Sequence, residues 1–141
     1  MSTPPTLQQP AVTKATRILL VEDHLPTRHE MRALIEGQPN MTVVAEAESG
    51  EEGLDLARDT HPDIIVMDIL LPGMNGIEAT RRALSEYPLI KVLALSNHFG
   101  SSLVQAVKDS GGSGYVRKCN AFEELIPALL SITGGGHYFN S

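Results

Sequence analysis

Five short, unbroken runs of apolar residues are the feature that most constrains the fold of this chain. They are rich in Val, Ile and Leu, and they lie at Ile18–Val21, Met41–Ala45, Ile64–Met67, Ile90–Leu95 and Gly114–Val116. Runs that do not alternate with polar residues are typical of strands buried on both faces of a parallel sheet. Segments of helical length separate these runs. Five strands alternating with five helices predict an α/β domain with an open, doubly wound parallel sheet.

Composition and charge exclude several classes of protein. The chain has 141 residues, one cysteine (Cys119) and a formal net charge of −6. A single cysteine cannot form an intramolecular disulfide, so a secreted disulfide scaffold is excluded. The negative charge argues against direct binding of nucleic acid or an anionic membrane. No apolar run approaches the roughly 20 residues of a membrane span, and no signal peptide is visible, so we expect a cytoplasmic protein without membrane contact.

The domain organisation predicted from these patterns is one folded unit with two short flanks. Residues 1–16 contain three prolines and no apolar periodicity, which predicts a disordered N-terminal tail. Residues 17–134 hold the strand–helix units, and residues 135–141 are expected to begin a linker or C-terminal tail. Three pairs of residues predict N-terminal caps on helices: Ser49 with Glu52, Asn75 with Glu78, and Asn120 with Glu123.

The last predicted helix, from Asn120 to about Thr133, departs from the usual pattern of a surface helix. Pro127, near its seventh position, should remove a backbone hydrogen bond and clash with the preceding turn. Apolar side chains spread over most of the helical circumference, so they cannot all face the sheet: Leu125, Ile126, Leu129, Leu130 and Ile132. This pattern predicts either burial on several faces or a contact surface, such as that of a homodimer.

Polar side chains follow four of the predicted strands at their carboxyl ends, where open α/β sheets bind ligands. In chain order they are Glu22 and Asp23, Asp68, Ser96 and His98, and Lys118. Three carboxylates brought close together repel one another unless a cation is present, and ligands that are all oxygens favour Mg²⁺ over zinc. The Lys118 ammonium would lie on the opposite side of Asp68 from the metal ion. We therefore expect Asp68 to accept a phosphoryl group, because the metal ion and the ammonium would neutralise the charge of that group.

Each of these residues taken alone has a simpler interpretation. An acidic pair at a strand end is ordinarily a solvated turn or a helix cap. Asp68 before Leu-Pro-Gly could be a turn residue, and Ser96 or Lys118 alone is more often structural. The prediction of a site therefore depends on their coincidence at four strand ends.

With these residues placed, residues 17 to about 134 resemble the receiver domain of two-component response regulators. The resemblance is carried by the segments ILLVEDH, DIIVMDILLPGMNGIEAT, VLALSNH and GYVRK. The SNH after the fourth strand, the GYVRK with no proline after it, and the terminal GGGHYFNS are similar to the NarL/FixJ-type subfamily. The resemblance implies a flavodoxin-like (βα)5 fold with strand order 2-1-3-4-5. It also implies phosphorylation of an aspartate by a sensor histidine kinase, which would be the partner of this chain.

The resemblance further implies a role for each residue of the metal and phosphoryl site. Asp68 would be the phosphoacceptor and one of the Mg²⁺ ligands. Asp23 would bind the metal directly, Glu22 would act through water, and the backbone carbonyl of Leu70 would complete the protein ligands.

A second group of residues is implied to switch the domain and to tune its lifetime. Lys118 and Ser96 would bind the phosphoryl group, and the Tyr115 ring would repack behind Ser96 when that hydroxyl moves. Leu70 and His98 occupy positions that would tune dephosphorylation. The surface that switches would be that of the fourth helix, fifth strand and fifth helix, or that of the first and fifth helices.

Several questions stay open at this level. Cys119 stands where many receivers have proline, so the isomer of the 118–119 peptide bond is undetermined. In the NarL/FixJ-type subfamily a helix-turn-helix domain follows and regulates transcription, whereas this sequence ends at the equivalent of the linker. The output is therefore either transcription regulation through a domain outside this sequence or, in a stand-alone regulator, protein–protein interaction.

Three other functions fit the sequence less well. An aspartyl-phosphate hydrolase of the haloacid dehalogenase type needs a second Asp as general acid where Leu70 stands. A flavodoxin needs a Ser-, Thr- and Gly-rich phosphate loop, but the loop after the first strand reads EDHLPT. A pseudo-receiver is expected to lack the acid pair, the acceptor or the lysine, and all are present. We therefore do not expect an enzyme beyond a phosphoacceptor that assists its own phosphorylation and dephosphorylation.

Overall fold

A computed structural model describes residues 15–98 and 100–139 of the chain. Its elements are β1 (Thr16–Val21), α1 (Leu25–Glu36), β2 (Met41–Ala47), α2 (Gly50–Thr60), β3 (Ile64–Asp68), α3 (Gly76–Glu86), β4 (Lys91–Ser96), α4 (Ser101–Asp109), β5 (Gly114–Arg117), a 3-10 turn (Lys118–Asn120), α5 (Ala121–Thr133) and β6 (Tyr138–Phe139). All strand pairs are parallel, in the order β2-β1-β3-β4-β5-β6. The predicted fold class and the order 2-1-3-4-5 are confirmed, with one strand added.

Strand β1 shows why the apolar runs do not alternate with polar residues. Ile18 and Leu20 point to one face of the sheet, where the core contains side chains of α1 and α5. Leu19 and Val21 point to the other face, where side chains of α2 and α3 complete the core. All four are 0% exposed. Helices therefore cover both faces, and α4 packs beside α3 against β4 and β5.

Two of the three predicted helix caps form. Ser49 Oγ accepts the N–H of Glu52 at 3.1 Å, and Asn75 Oδ1 accepts the N–H of Glu78 at 2.9 Å. The predicted cap at Asn120 is wrong, since its side chain makes no capping bond. An N-cap residue has an extended backbone, but Asn120 closes the 3-10 turn with φ −106 and ψ 6.

Helix α5 continues through Pro127 to Thr133, so the predicted clash with the preceding turn does not end the helix. The lost hydrogen bond would have used the Glu123 carbonyl, and both residues lie on the exposed face, where water can replace it. The apolar side chains of α5 lie on two faces of the helix, one exposed and one buried. Phe122 and Leu130 are 77% and 57% exposed. The buried face consists of Leu125, Ala128, Leu129 and Ile132, with Ile126 partly buried beside it.

The flanks of the domain differ from the prediction at both ends. Strand β1 begins at Thr16, inside the segment predicted as tail, and residues 1–14 lie outside the described residues. Tyr138 and Phe139, predicted as linker, form β6 and pair with Gly114 and Tyr115 of β5. Gly114 permits this approach, because a Cβ there would lie 2.9 Å from the Tyr138 carbonyl oxygen. Residues 140–141 also lie outside the described part.

Two further points concern the described residues only. They contain no cis peptide bond, so the bond between Lys118 and Cys119 is trans. Among their helices, none combines the length and apolar character needed to cross a membrane.

Candidate functional site

Three carboxylates meet where β1 and β3 end side by side in the sheet. Glu22 and Asp23 directly follow β1, and Asp68 is the last residue of β3. One oxygen from each lies within 4.8 Å of the other two. Glu22 is 0% and Asp68 1% exposed, whereas Asp23 is open to solvent. The strand ends thus bring the three carboxylates together, as expected from the sequence, and the structure adds that two lie inside the protein and the third at the entrance.

Lys118 supplies the positive charge at this cluster. Its Nζ lies 2.8 Å from Asp68 Oδ2 and 2.8 Å from Glu22 Oε1. The Glu22 oxygen receives no directed hydrogen bond, so this second contact is an ion pair only. One ammonium cannot balance three carboxylates, and ligand atoms that are all carboxylate oxygens suit a hard cation. The cluster of Glu22, Asp23 and Asp68 therefore fits a hard cation such as Mg²⁺, and the division of these residues into direct and water-mediated ligands stays a prediction.

Burial and charge set the protonation of Asp68 and Lys118. Desolvation raises the pKa of Asp68 from 3.8 to about 6; the nearby Glu22 charge adds to this, while Lys118 and the Leu70 N–H oppose it. Burial alone would lower the pKa of Lys118, but its contacts with Asp68 and Glu22 outweigh burial and hold that pKa above its usual value. An ionised Asp68 thus depends on neighbouring positive charge.

The loop after Asp68 is fixed by two close contacts. The Leu70 N–H donates to Asp68 Oδ1 at 3.2 Å, and the Gly76 N–H donates to the Ile69 carbonyl at 2.8 Å. A Cβ on Gly76 would lie 2.1 Å from the Asp68 carbonyl oxygen, so only glycine fits there. Leu70 lines the site, and the role of its carbonyl as a metal ligand stays a prediction.

Ser96, His98 and Tyr115 form a connected group at the end of β4. Ser96 Oγ accepts the His98 N–H at 3.0 Å, and the Tyr115 hydroxyl donates to the His98 carbonyl. The Tyr115 hydroxyl also contacts the Ser96 side chain, and burial raises the pKa of Tyr115. The ring is 1% exposed and packs with Val104 and Val107 of α4. Tyr115 thus lies on the α4 side of β5, and its repacking when the Ser96 hydroxyl moves stays a prediction.

A cleft of about 1050 Å³ extends from the carboxylates between α1 and α5. His24 fixes its rim, because its N–H donates to Glu22 Oε2 at 3.0 Å and its ring accepts the Thr27 N–H at 3.4 Å. The walls away from the carboxylates include the apolar side chains of Met31, Leu34 and Phe122. A ligand that reaches Asp68 through this cleft therefore also meets an apolar surface.

Comparison with known proteins decides the family. Residues 18–130 match the family described as "Response regulator receiver domain". The chain belongs to this family. It is 38% identical over 124 residues to the transcriptional regulatory protein DegU of Brevibacillus brevis and 35% identical over 128 residues to the response regulator GacA of Pseudomonas viridiflava. These alignments cover 88% of this chain but only 52% and 58% of the relatives, so the chain spans about half of their length.

Solved structures agree with this assignment. A two-component response regulator of the LuxR family from Aurantimonas superposes with a TM-score of 0.86 at 40% identity, covering 89% of this chain and 90% of that one. The signal receiver domain of NarL from Mycobacterium tuberculosis gives 0.81 at 27%, covering 86% and 98%. The resemblance to NarL-type response regulators is therefore confirmed, and this receiver domain is related to transcription regulators.

Sequence reasoning missed two parts of the surroundings of the site. The His98 backbone, rather than its side chain, connects Ser96 with Tyr115, and no sequence signal marks a backbone contact. Arg28 is buried behind the acidic pair. Arg28 precedes Met31 by three residues and Ile35 by seven, so the sequence places it on the apolar face of a predicted helix. A charged residue on that face is a signal of a buried polar contact, and it could have identified Arg28.

Proposed function

We propose that this receiver domain accepts a phosphoryl group on Asp68 from a phosphohistidine of a sensor histidine kinase, in a Mg²⁺-dependent reaction. The observation that carries the proposal is the contact of Lys118 Nζ with Asp68 and Glu22, both at 2.8 Å, beside three carboxylates that share one space. A phosphoryl group on Asp68 would lie between the ammonium and the cation site, where both neutralise its oxygens.

In the proposed reaction an Asp68 carboxylate oxygen attacks phosphorus. The P–O bond forms as the P–N bond of the phosphohistidine breaks, and the imidazole leaves with the electron pair. Lys118 is placed to stabilise the phosphoryl oxygens, and the Leu70 N–H orients the Asp68 carboxylate. Bound Mg²⁺ would supply positive charge to the transferring group. Relatives are response regulators, and we propose that self-assisted phosphorylation and dephosphorylation are the only chemistry of this domain. Leu70 and His98 would tune the dephosphorylation, in which water attacks phosphorus and the Asp68 carboxylate leaves.

We propose that the kinase approaches through the cleft between α1 and α5. The phosphohistidine must reach Asp68, and the apolar walls next to it offer a surface for a partner helix. The exposed side chains Phe122 and Leu130 extend that surface along α5. The same apolar surface would also serve as the interface of a homodimer, so kinase binding and dimerisation would compete for it.

The proposed output starts at Ser96. A phosphoryl group on Asp68 adds about two negative charges and strong acceptors, which would draw the Ser96 hydroxyl from its bond with His98. Tyr115 contacts both residues and already packs on α4, so this movement would change how its ring packs on that helix. The curated relatives include transcription regulators about twice as long, so we propose control of transcription through a DNA-binding part that these described residues do not contain. This chain itself would not contact nucleic acid.

A phosphorylation assay tests the proposal. Wild-type protein incubated with Mg²⁺ and a small phosphodonor should gain one phosphoryl group by intact-mass measurement, and Asp68→Asn should gain none. Asp55→Asn, on the exposed face of α2, is a matched control that should label as the wild type does. Labelling of Asp68→Asn at the wild-type yield would contradict the assignment.

The division of metal roles has its own test. Asp23→Ala should weaken Mg²⁺ binding more than Glu22→Ala, because a direct ligand contributes more than one acting through water. Isothermal titration with MgCl₂ measures both constants. Equal losses would contradict the division.

A further inference from the structure

Arg28 is a charged residue on the buried face of α1, and nothing in the proposed reaction uses it. The residue is 7% exposed and shares its helix face with Met31 and Ile35, which are 2% and 0% exposed. Burying a guanidinium is costly unless all of its donors are used. Its partners therefore indicate what this residue is for.

The Arg28 guanidinium joins three segments. Nη1 donates to the backbone carbonyl of Glu22 at 2.7 Å, and Nε donates to Glu46 Oε1 of β2 at 2.8 Å. Nη2 lies 3.9 Å from Glu48 Oε2. The other oxygen of Glu46 accepts Arg32 Nη1 at 2.6 Å. Two carboxylates thus hold the guanidinium in place, and the guanidinium holds the chain at Glu22.

We propose that Arg28 is a positioning residue for the acidic pair: it fixes the backbone between β1 and α1 so that the Glu22 and Asp23 carboxylates lie where they share a cation. The proposal rests on the proposed Mg²⁺-dependent function. Glu22 follows the last residue of β1, so its carbonyl lies beyond the β1 strand. The side chain of Arg28 holds this carbonyl, while the Glu22 N–H bonds the Ala47 carbonyl and the His24 carbonyl accepts the Arg28 N–H.

Arginine is suited to this position and lysine is not. A guanidinium presents several donors in a fixed plane and binds a carbonyl and a carboxylate at the same time, whereas an ammonium is a single point of donation.

The test uses three variants of the whole chain: Arg28→Met, Arg28→Lys and Arg32→Met as the matched control. Arg32 shares Glu46 with Arg28 but does not bond the Glu22 carbonyl in the described contacts. Amide NMR spectra give two readouts, the shifts of residues 22–24 without metal and the Mg²⁺ dissociation constant from their titration with MgCl₂.

Arg28→Met is expected to shift the metal-free amides of residues 22–24 and to weaken Mg²⁺ binding by about tenfold or more, as loss of an outer partner of a metal ligand does. Arg28→Lys should fall between Met and wild type. Arg32→Met should stay within about a factor of two, because a half-exposed ion pair contributes little.

A folded Arg28→Met with wild-type amide shifts and Mg²⁺ affinity would overturn the inference, and so would an equal loss in Arg32→Met. If Arg28→Met does not fold, Arg28→Lys decides by the same two readouts. If the wild type binds no Mg²⁺, the proposed function fails, and the metal-free shifts of residues 22–24 alone then support or overturn the positioning role.

Discussion

Replacing Asp68 with Asn is expected to stabilise the metal-free protein against unfolding at neutral pH. Asp68 is 1% exposed and lies beside the equally buried Glu22, so its negative charge is held at a cost that Lys118 offsets only in part. Asn removes the charge and keeps the shape. The substitution would thus raise the free energy of unfolding of the protein while it abolishes the proposed reaction at Asp68.

The magnitude follows from the pKa of Asp68. Its rise from 3.8 to about 6 corresponds to about 3 kcal/mol of free energy against the ionised folded state. Both Asp68 oxygens accept a hydrogen bond, from the Leu70 N–H and from Lys118. An amide NH₂ cannot accept, so Asn forfeits one of these bonds at about 1 kcal/mol. The expected net gain is about 2 kcal/mol.

The pH dependence has a definite sign. Because the folded pKa is above the unfolded value, the protonated form of Asp68 stabilises the fold fully below pH 3.8, and this contribution is lost as the pH rises through about 6. The advantage of Asp68→Asn should therefore be complete above pH 6 and shrink towards pH 3.8.

Urea unfolding in EDTA, followed by circular dichroism because the chain has no Trp, measures this at pH 7.5 and pH 4. Asp55→Asn is the control, since its side chain is 69% exposed, and a change there should stay within about 0.5 kcal/mol. An Asp68→Asn protein less stable than the wild type at pH 7.5, or a gain of equal size at both pH values, would refute the reasoning.

Three further changes test separate parts of the molecule. Gly76→Ala should lower the free energy of unfolding by more than about 3 kcal/mol, because the new Cβ would meet the Asp68 carbonyl oxygen; wild-type thermal stability would show that the loop yields. Tyr115→Phe should cost about 1 kcal/mol in urea unfolding, since the His98 carbonyl loses its donor, and no loss would mean that water replaces it. Leu130→Ser should leave stability within about 0.5 kcal/mol but reduce self-association in light scattering, and a wild type that is monomeric at every concentration would contradict this role for α5.

The apolar runs were sufficient to predict the strands and the residues at their carboxyl ends, and the resemblance to receiver domains supplied the strand order. Strands that are buried on both faces of a parallel sheet consist of unbroken apolar runs. The carboxyl ends of parallel strands lie at one edge of the sheet, so the residues there can be located without knowing how their side chains are oriented. The sequence was not sufficient for β6, because two residues give no periodic signal, nor for the contact of Arg28 with a backbone carbonyl.

The short strand β6 changes which backbone hydrogen-bonding groups are available to other polypeptides at the edge of the sheet. Without β6, the outer row of N–H and C=O groups on β5 would be free to pair with a foreign strand, which is a common route to aggregation. Tyr138 and Phe139 pair with Gly114 and Tyr115 in that row, and within the described part of the chain they form a strand of two residues. At the opposite rim, the register of β1 against β2 is irregular between Ile18 and Leu19, and Glu36 accepts the Val43 N–H at 2.9 Å. Strand addition is therefore disfavoured on both sides, and association with other chains is directed to the helices.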